Sequence, residues 1–412
     1  MNNNAAANTL DNKVLTFFLI AGEPSGDLLG ARLMAALKVK LGRRPFRFVG
    51  VGGERMMAEG LETLFPMSDL ALFGLLELLP KAPKLVRRFH QTVLGIQNVE
   101  PDVLVTIDAP SFTFRVGKKI RADLKKNNKK MLMIHYVAPT VWAWRPERAR
   151  KIAQFLDHLL VLLPFEPPYF EKEGLACSFV GHSIIESNAG CGDANRFRAR
   201  HKVNKNTRVI TVLPGSRVGE VSRLLPIFKQ TFDRLVETHP NMMVVIPTLA
   251  QMAPMVQKSV EIWPLPVLVV QGDEEKYDAF AASEVALAAS GTVALELAMA
   301  RLPSVIAYRL NSLTVALYRR LIGVKYVNLI NILLDRLLVP ELLQEDCRPE
   351  ALAEAVGQIL DDPVARRRQI EGYDDALHAL RVEGASPSEQ AAAVILQRVQ
   401  QFSDEKRYTP FD

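Results

Sequence analysis

The sequence contains few cysteines and no long apolar run. Its 412 residues include three cysteines, Cys177, Cys191 and Cys347, whose spacing matches neither a zinc motif nor an even disulfide framework. No apolar stretch reaches the ~18 residues of a membrane-spanning helix, and the polar first residues lack the basic and apolar regions of a secretory signal. We therefore expect a protein of the reducing cytoplasm, without a membrane span or a metal site.

Two nucleotide-binding motifs and a nucleophilic triad are also missing. The segment GEPSGD (22–27) lacks the Gly-Lys-Ser/Thr ending of a P-loop, and GVGGERM (50–56) does not have the spacing of a dinucleotide fingerprint. Because both motifs are absent, we expect no cofactor. No nucleophilic triad is recognisable either. The net charge of +6 is small for 412 residues and does not indicate nucleic acid as a partner. It is compatible with an anionic membrane surface or a phosphorylated substrate.

Short apolar runs alternate with helical patterns along the chain, which is typical of parallel α/β sheets. The predicted strands are Leu15–Ala21, Arg47–Val51, Val103–Ile107, Met131–Val137 and His158–Leu163, followed by Val209–Leu213, Met242–Ile246, Val267–Val270, Val285–Ala288 and Ser304–Tyr308. The length allows two domains. The pattern therefore predicts an α/β protein with two Rossmann-like domains, whose parallel sheets face each other across a cleft.

The domain boundaries follow from changes in polarity. We predict an N-terminal domain over 14–186, a polar linker over 187–206 and a second domain over 207–375. The segment 376–402 is predicted to be helical and to pack back on an N-terminal domain. Its start is marked by Ser386 and Glu389, which have the spacing of a capping box, with Pro387 at the first helical position.

The stretch 285–300 combines a strand, a small-residue turn and a helix. Backbone N–H groups at the start of such a helix favour an anion, and Gly291, between Ser290 and Thr292, allows a phosphate to approach the backbone. Glu296, about one turn into the helix, is placed to accept hydrogen bonds from a ribose. The alternative is an ordinary strand-to-helix turn with a surface glutamate.

Four polar loops follow predicted strands: GEPSGD (22–27), IDAPSF (107–112), LPGSR (213–217) and the ASGT turn (289–292). Ligands in α/β sheets bind beyond the carboxyl ends of the strands, so we expect these loops to gather in the cleft. Arg217 in LPGSR suits a diphosphate, because its guanidinium is a planar fork of donors.

Asp108 ends a buried strand and is the candidate general base towards a hydroxyl nucleophile. Its alternative role is to cap the next helix or turn. The neighbouring GEPSGD loop is predicted to lie on the acceptor side, through Glu23, Ser25, Gly26 and Asp27. Glu23 and Asp27 are the other candidates for the base.

The segment 69–89 is mostly apolar before Pro80 and carries basic residues after it. One interpretation is a surface that enters the lipid interface, with cations near lipid phosphates; the other is a core helix followed by a solvated one. The residues that would contact the membrane are Leu72, Phe73, Leu75, Leu76, Lys81, Lys84, Arg87 and Arg88.

Taken together, these motifs resemble the lipid A disaccharide synthase family. The resemblance runs from about residue 15 to 348 and also includes HYVAPTVWAWR (135–145), LPFEPPYF (163–170), FVGHS (179–183), YVNLINIL (326–333) and LVPELLQ (338–344). It implies the GT-B fold and an inverting glycosyltransferase without a metal. It adds Asn331 to the UDP-binding residues Arg217, Ser290, Gly291, Thr292 and Glu296, and it makes Asp108 the candidate base or an acid of the acceptor site.

The resemblance also implies the substrates and the place of action. These are UDP-2,3-diacylglucosamine as donor, 2,3-diacylglucosamine 1-phosphate (lipid X) as acceptor, and inner-membrane phospholipids at the cytoplasmic face, with peripheral attachment. A homodimer that exchanges the C-terminal helix is a further expectation. Two other interpretations remain at this stage: another UDP-sugar enzyme of the same fold, such as a soluble-acceptor transferase or an epimerase, or a non-catalytic lipid-binding protein. Release of UDP during turnover distinguishes the non-catalytic lipid-binding protein from the UDP-sugar enzymes.

Overall fold

A computed structural model describes residues 14–70, 78–143, 146–309 and 325–408. The chain divides into two units, each with its own sheet. Unit 1 comprises Met1–Ser183 and Arg381–Asp412, and unit 2 comprises Ile184–Leu380. Within the described ranges, no helix combines the length and the apolar character that crossing a membrane requires.

Unit 1 is built on a seven-stranded sheet in the order β3-β2-β1-β4-β5-β6-β7, in which neighbouring strands are parallel. The strands are β1 (Leu15–Ala21), β2 (Phe46–Val51), β3 (Glu62–Thr63), β4 (Val103–Ile107), β5 (Leu132–Tyr136), β6 (His158–Val161) and β7 (Ala176–Phe179). Side chains of β1 enter the apolar cores on both faces, Phe17 on one and Phe18 on the other. This double burial explains the continuous apolar run of β1.

Helices cover both faces of this sheet. They are α1 (Pro24–Leu41), α2 (Glu54–Ala58), α3 (Leu78–Val99), α4 (Pro110–Lys126), α5 (Arg148–Ala153) and α6 (Pro167–Glu171). Pro24 occupies the first turn of α1, where its missing N–H costs no hydrogen bond. Gly42 ends the helix with a φ of 56°, a conformation that favours glycine.

Unit 2 contains a six-stranded parallel sheet in the order β10-β9-β8-β11-β12-β13. The strands are β8 (Arg208–Leu213), β9 (Met242–Pro247), β10 (Val267–Val270), β11 (Val285–Ala289), β12 (Ser304–Tyr308) and β13 (Glu341–Leu343). The helices are α7 (Ala194–Arg200), α8 (Val218–Thr238), α9 (Ala253–Val260), α10 (Asp273–Ala282), α11 (Val293–Met299), α12 (Leu329–Leu334), α13 (Pro349–Asp361) and α14 (Pro363–Ala379). The alternation of parallel strands and helices in both units is the α/β architecture that the sequence predicts.

The predicted linker at 187–206 is wrong, because this segment is an ordered part of unit 2. Asp193 caps α7 by accepting hydrogen bonds from the backbone N–H groups of Asn195 and Arg196, at 2.8 and 3.1 Å. Buried Asp278 of α10 accepts the backbone N–H of Asp193 at 2.8 Å and pairs with the guanidinium of Arg196. The second predicted boundary also moves, since α14 extends to Ala379 within unit 2.

The last described helix, α15 (Pro387–Tyr408), belongs to unit 1 and packs beside α1. Both hydrogen bonds of the expected capping box are present: the Ser386 N–H donates to Glu389 at 2.8 Å, and the Glu389 N–H donates to the Ser386 hydroxyl at 3.3 Å. Ala391, Ile395 and Val399 are buried in the core that contains β1. Exchange of this helix between two chains stays a prediction.

Candidate active site

Two of the predicted loops touch at the carboxyl edge of the sheet in unit 1. β1 and β4 are neighbours, with Ala21 paired to Ile107, so the loops that follow them begin side by side. A Cβ atom built on Gly22 would lie 2.8 Å from the Cβ of Ala109. Only glycine allows this approach, which brings the GEPSGD and IDAPSF loops together.

The backbone turns sharply where β4 ends. Asp108 and Ala109 have φ angles of 49° and 46°, a left-handed conformation that is rare for residues other than glycine. The Asp108 N–H donates to the carbonyl of Tyr136 at 2.9 Å, and the Thr113 hydroxyl donates to the carbonyl of Asp108 at 2.9 Å. These bonds hold the turn, and such strained positions cluster at functional sites.

The carboxyl group of Asp108 is half-buried at the end of this strand. Burial raises the pKa of Asp108 above its ordinary value of 3.8, and a hydrogen bond from the backbone of Ala109 opposes part of that rise. A carboxylate with a raised pKa is a better proton acceptor when ionised. The position and the environment of Asp108 therefore suit a general base.

Asp27 has a structural role, in contrast to the predicted place on the acceptor side. Its carboxylate is 5% exposed and accepts three backbone N–H groups at the start of α2, from Gly53 at 2.8 Å and from Arg55 and Met56 at 3.1 Å. These bonds occupy the oxygens that a substrate or a proton would need. Asp27 therefore stabilises the helix start at the neighbouring strand end.

The other members of the GEPSGD loop differ in exposure. Glu23 and Ser25 are exposed at the start of α1, whereas Gly26 is buried. A Cβ built on Gly26 would lie at ordinary contact distance from the Cβ of Ala21 and the carbonyl of Ile107. Glu23 and Ser25 are thus the residues of this loop that a ligand can reach.

Glu166 is a titratable residue at the same edge that sequence reasoning missed. Burial raises the pKa of Glu166 to about 7, although three donors favour its ionised form: the N–H groups of Leu163 and Leu162 and the indole N–H of Trp142. The carboxylate closes the turn after β6 and fixes Trp142, which packs edge-on against Phe165. Its acceptor capacity is used structurally, which leaves Asp108 as the better candidate for proton transfer.

Unit 2 holds a cavity of about 440 Å³ at the carboxyl ends of its central strands. The LPGSR loop follows β8 and the ASGT turn follows β11, and these two strands are neighbours. The structure therefore brings together five of the six predicted UDP-binding residues: Arg217, Ser290, Gly291, Thr292 and Glu296 line this cavity. A Cβ built on Gly291 would meet nothing within 4 Å, so the backbone there is open to a ligand.

Arg217 stands at the start of α8 with its side chain 82% exposed. Its guanidinium lies 3.4 Å from a carboxylate oxygen of Glu220, an exposed contact of a kind that contributes little to stability. Glycine is required two positions earlier, since Gly215 has a φ of 108° and a Cβ there would lie 2.6 Å from Glu220. The geometry leaves the arginine able to turn towards an anion.

Glu296 is held by a lysine that sequence reasoning missed. The ammonium of Lys276, on α10, lies 3.1 and 3.3 Å from the two carboxylate oxygens of Glu296. Burial alone would lower the pKa of Lys276, but the charges of Glu296 and Asp273 together with Tyr277 raise it. The two residues are twenty positions apart on different helices, so no local pattern in the sequence indicates the pair.

Asn331 does not line the cavity, and its predicted role in UDP binding is not supported by its contacts. The side chain is fully buried, and its amide N–H groups donate to the carbonyl of Val339 at 2.8 Å and to Glu341 at 2.7 Å. Its oxygen accepts the N–H groups of Leu338 and Val339, both at 2.9 Å. All four hydrogen-bonding positions of the amide are occupied, so Asn331 fixes the segment before β13.

The predicted membrane residues fall largely outside the described part of the chain. Leu72, Phe73, Leu75 and Leu76 and the side chain of Lys81 lie outside it. Lys84 and Arg88 both pair with Asp69, at 2.5 and 2.6 Å, and Arg88 also lies over the ring of Phe65. Arg88 therefore has a structural role, while Arg87 is exposed.

Comparisons with known proteins decide the family. The family model of lipid-A-disaccharide synthetase matches residues 17–395. The lipid-A-disaccharide synthase of Rhodospirillum centenum is 54% identical over 97% of this chain and 98% of its own length. The chain belongs to the lipid-A-disaccharide synthase family. A second relative of that name, from Paramagnetospirillum magneticum, is 49% identical over 95% of this chain and its full length.

Membership of the lipid-A-disaccharide synthase family makes the chain a glycosyltransferase of lipid A biosynthesis. The fold agrees with this. The UDP co-structure of MnaA from S. aureus superimposes with a TM-score of 0.62 at 13% identity, covering 97% of this chain and 99% of that one. Both units are Rossmann-like, as expected for the GT-B fold.

The contacts of Asn331 predict a loss of stability on substitution. Asn331→Ala should lower the free energy of unfolding by about 1–3 kcal/mol for each buried group left without a partner, because the N–H groups of Leu338 and Val339 lose their acceptor. Chemical denaturation measures this, with the exposed Gln358→Ala as control. Wild-type stability combined with loss of UDP binding would contradict the structural role.

Proposed function

We propose that this chain transfers the sugar of UDP-2,3-diacylglucosamine to 2,3-diacylglucosamine 1-phosphate. The reaction forms a β-1,6 linkage, inverts the anomeric carbon and releases UDP. The observation that carries the proposal is the cavity of unit 2, where the LPGSR loop and the ASGT turn meet. The donor nucleotide is assigned to that cavity and the base to Asp108 of unit 1.

The composition of the cavity supports a nucleoside diphosphate. Arg217 supplies a planar guanidinium for phosphate oxygens, and Gly291 allows the diphosphate to approach the backbone. Glu296 offers carboxylate oxygens to the ribose hydroxyls. A departing diphosphate gains negative charge as the glycosidic bond breaks, so donors at this place stabilise the transition state as well as the bound nucleotide. The MnaA structure that shares the fold is a UDP co-structure, which supports a UDP-containing donor for this chain.

The assignment of UDP to unit 2 predicts large kinetic effects. Arg217→Ala and Glu296→Ala should each lower turnover by about 10²–10³, because each removes a group that contacts the leaving nucleotide. UDP release measures turnover, and calorimetry with UDP separates binding from chemistry. Arg223→Ala, an exposed arginine on α8 that does not line the cavity, is the matched control. Wild-type rates in both variants would refute the assignment.

Asp108 is proposed to take the proton of the attacking hydroxyl. The hydroxyl oxygen bonds to the anomeric carbon, the bond from that carbon to the UDP oxygen breaks, and the proton passes to the Asp108 carboxylate. Among the described acids at this edge of unit 1, Asp27 and Glu166 are engaged by three donors each. Asp108 has the raised pKa that a base requires, and Glu23 is the alternative.

Asp108→Asn is expected to lower turnover by about 10²–10⁴ and to leave UDP affinity unchanged, since only the proton acceptor is removed. In the wild type, kcat/KM should fall on the acid side through a pKa above 3.8, because the base works only when ionised and burial raises its pKa. Asp102→Asn is the matched control, since Asp102 lies just before the opposite end of β4 and accepts the N–H of Thr16.

If Asp108→Asn retains wild-type turnover while Glu23→Gln is inactive, the base is Glu23. If both retain turnover, neither Asp108 nor Glu23 is the base. In each case UDP binding to unit 2 is measured separately, so the donor site and the base are tested independently.

We further propose that the segment 69–89 contacts inner-membrane phospholipids at the cytoplasmic face. Exposed Val86 and Leu94 and the exposed cation Arg87 lie on α3, which continues from this segment. Both proposed substrates are acylated, so attachment of unit 1 to the membrane would bring the enzyme to the surface that holds them.

Leu72→Glu and Leu76→Glu should reduce binding to vesicles that contain anionic phospholipid and leave UDP affinity unchanged, because a charge at the lipid interface is unfavourable. Sedimentation with vesicles measures the effect. Val39→Glu, at a position that is 81% exposed on α1, is the control for an added charge on unit 1. Loss of folding in the Leu72 and Leu76 variants would show that these residues belong to the core.

A further inference from the structure

We infer that Lys276 is a positioning residue of the nucleotide cavity, where it balances the charge of Glu296 so that a diphosphate can bind. This inference rests on the proposed UDP site. It concerns a residue that belongs to none of the sequence motifs and that lies on α10, outside the two loops that form most of the cavity.

The ammonium of Lys276 forms ion pairs with two neighbouring carboxylates. Its ammonium lies 3.1 Å from one carboxylate oxygen of Glu296, 3.3 Å from the other and 3.0 Å from Asp273. The nitrogen also lies 4.6 Å from the centre of the Tyr277 ring. An ammonium has three N–H donors, and two oxygens of Glu296 and one of Asp273 provide an acceptor for each of them. Lys276 therefore acts on the ligand through Glu296.

Charge is closely balanced among the lining residues. Arg217 and Lys276 are cationic, and Glu220 and Glu296 are anionic. Loss of Lys276 would leave the cavity with one net negative charge next to a diphosphate. Arg217 is 82% exposed, whereas the Lys276 side chain is 20% exposed, so solvent screens the lysine less.

The consequence is specific to the phosphate groups of the ligand. Glu296 is proposed to bind the ribose, and without Lys276 its charge would repel the diphosphate while its oxygens could still accept the ribose hydroxyls. The ratio of the Kd for uridine to the Kd for UDP isolates the contribution of the diphosphate. Lys276→Met keeps most of the apolar stem of the side chain and removes the ammonium group, with its charge and its N–H donors.

Calorimetry with UDP and with uridine on the full chain tests the inference. Lys276→Met should lower the uridine-to-UDP ratio by at least about tenfold, since a half-buried unit charge a few ångströms away contributes more than that. Uridine carries no phosphate charge, so its affinity should change by less than about threefold. Lys276→Arg should retain the wild-type ratio.

The decisive variant is Lys276→Met combined with Glu296→Gln. If Lys276 balances Glu296, the double variant should recover the wild-type ratio to within about threefold, because no uncompensated charge then lines the cavity. Asp273, the other partner of Lys276, is 70% exposed and does not line the cavity, so solvent screens its charge. Lys229→Met, which removes an ion-paired lysine of α8 away from the cavity, is the matched control and should change nothing.

Three results would overturn the inference. They are an unchanged ratio in Lys276→Met, an equal loss of UDP and uridine affinity, and a double variant that fails to recover, which would make Lys276 a direct phosphate ligand. A wild-type protein that binds UDP no more tightly than uridine would instead overturn the proposed nucleotide site itself. Failure of the inference and failure of the proposed function are thus distinguishable.

Discussion

The reversal of strand order at the centre of each sheet is the constraint on which both candidate sites depend. In unit 1 the chain winds outward from β1 to β3 and then returns to place β4 on the other side of β1; in unit 2, β11 is added beside β8 in the same way. The connections after the two central strands leave in opposite directions, which opens a crevice at their carboxyl ends. The GEPSGD and IDAPSF loops border one such crevice, and the LPGSR loop and the ASGT turn border the other.

Acidic residues near these crevices divide by the donors that surround them. Asp27 and Glu166 are almost fully buried, and each accepts three N–H groups, so they hold neighbouring loops in place. Asp108 is less enclosed and lies in a strained backbone turn. Glu296 has a cation as its partner. The number of hydrogen bonds that the surrounding loops donate thus separates the carboxylates that stabilise loops from those that stay available to a ligand.

The sequence predicts the central strands well because burial on both faces leaves a continuous apolar run, as in β1 and β4. It misses the edge strands β3, β7 and β13, whose residues are only partly buried and carry little pattern. The polar segment 187–206 suggests a linker, yet its aspartate and arginine make tertiary contacts within unit 2. Lys276 and the internal contacts of Asn331 depend on side chains brought together by folding, which local spacing does not reveal.

The position of α15 has a consequence for synthesis. Unit 1 begins with the first strand, but the helix that completes its core is encoded at the end of the chain, after all of unit 2, Ile184–Leu380. At about 5–20 residues per second, ribosomes need on the order of ten to forty seconds to produce that intervening stretch. During this time the face of α1 that α15 later covers stays exposed to water. A nascent chain thus completes unit 2 before the core of unit 1 is complete.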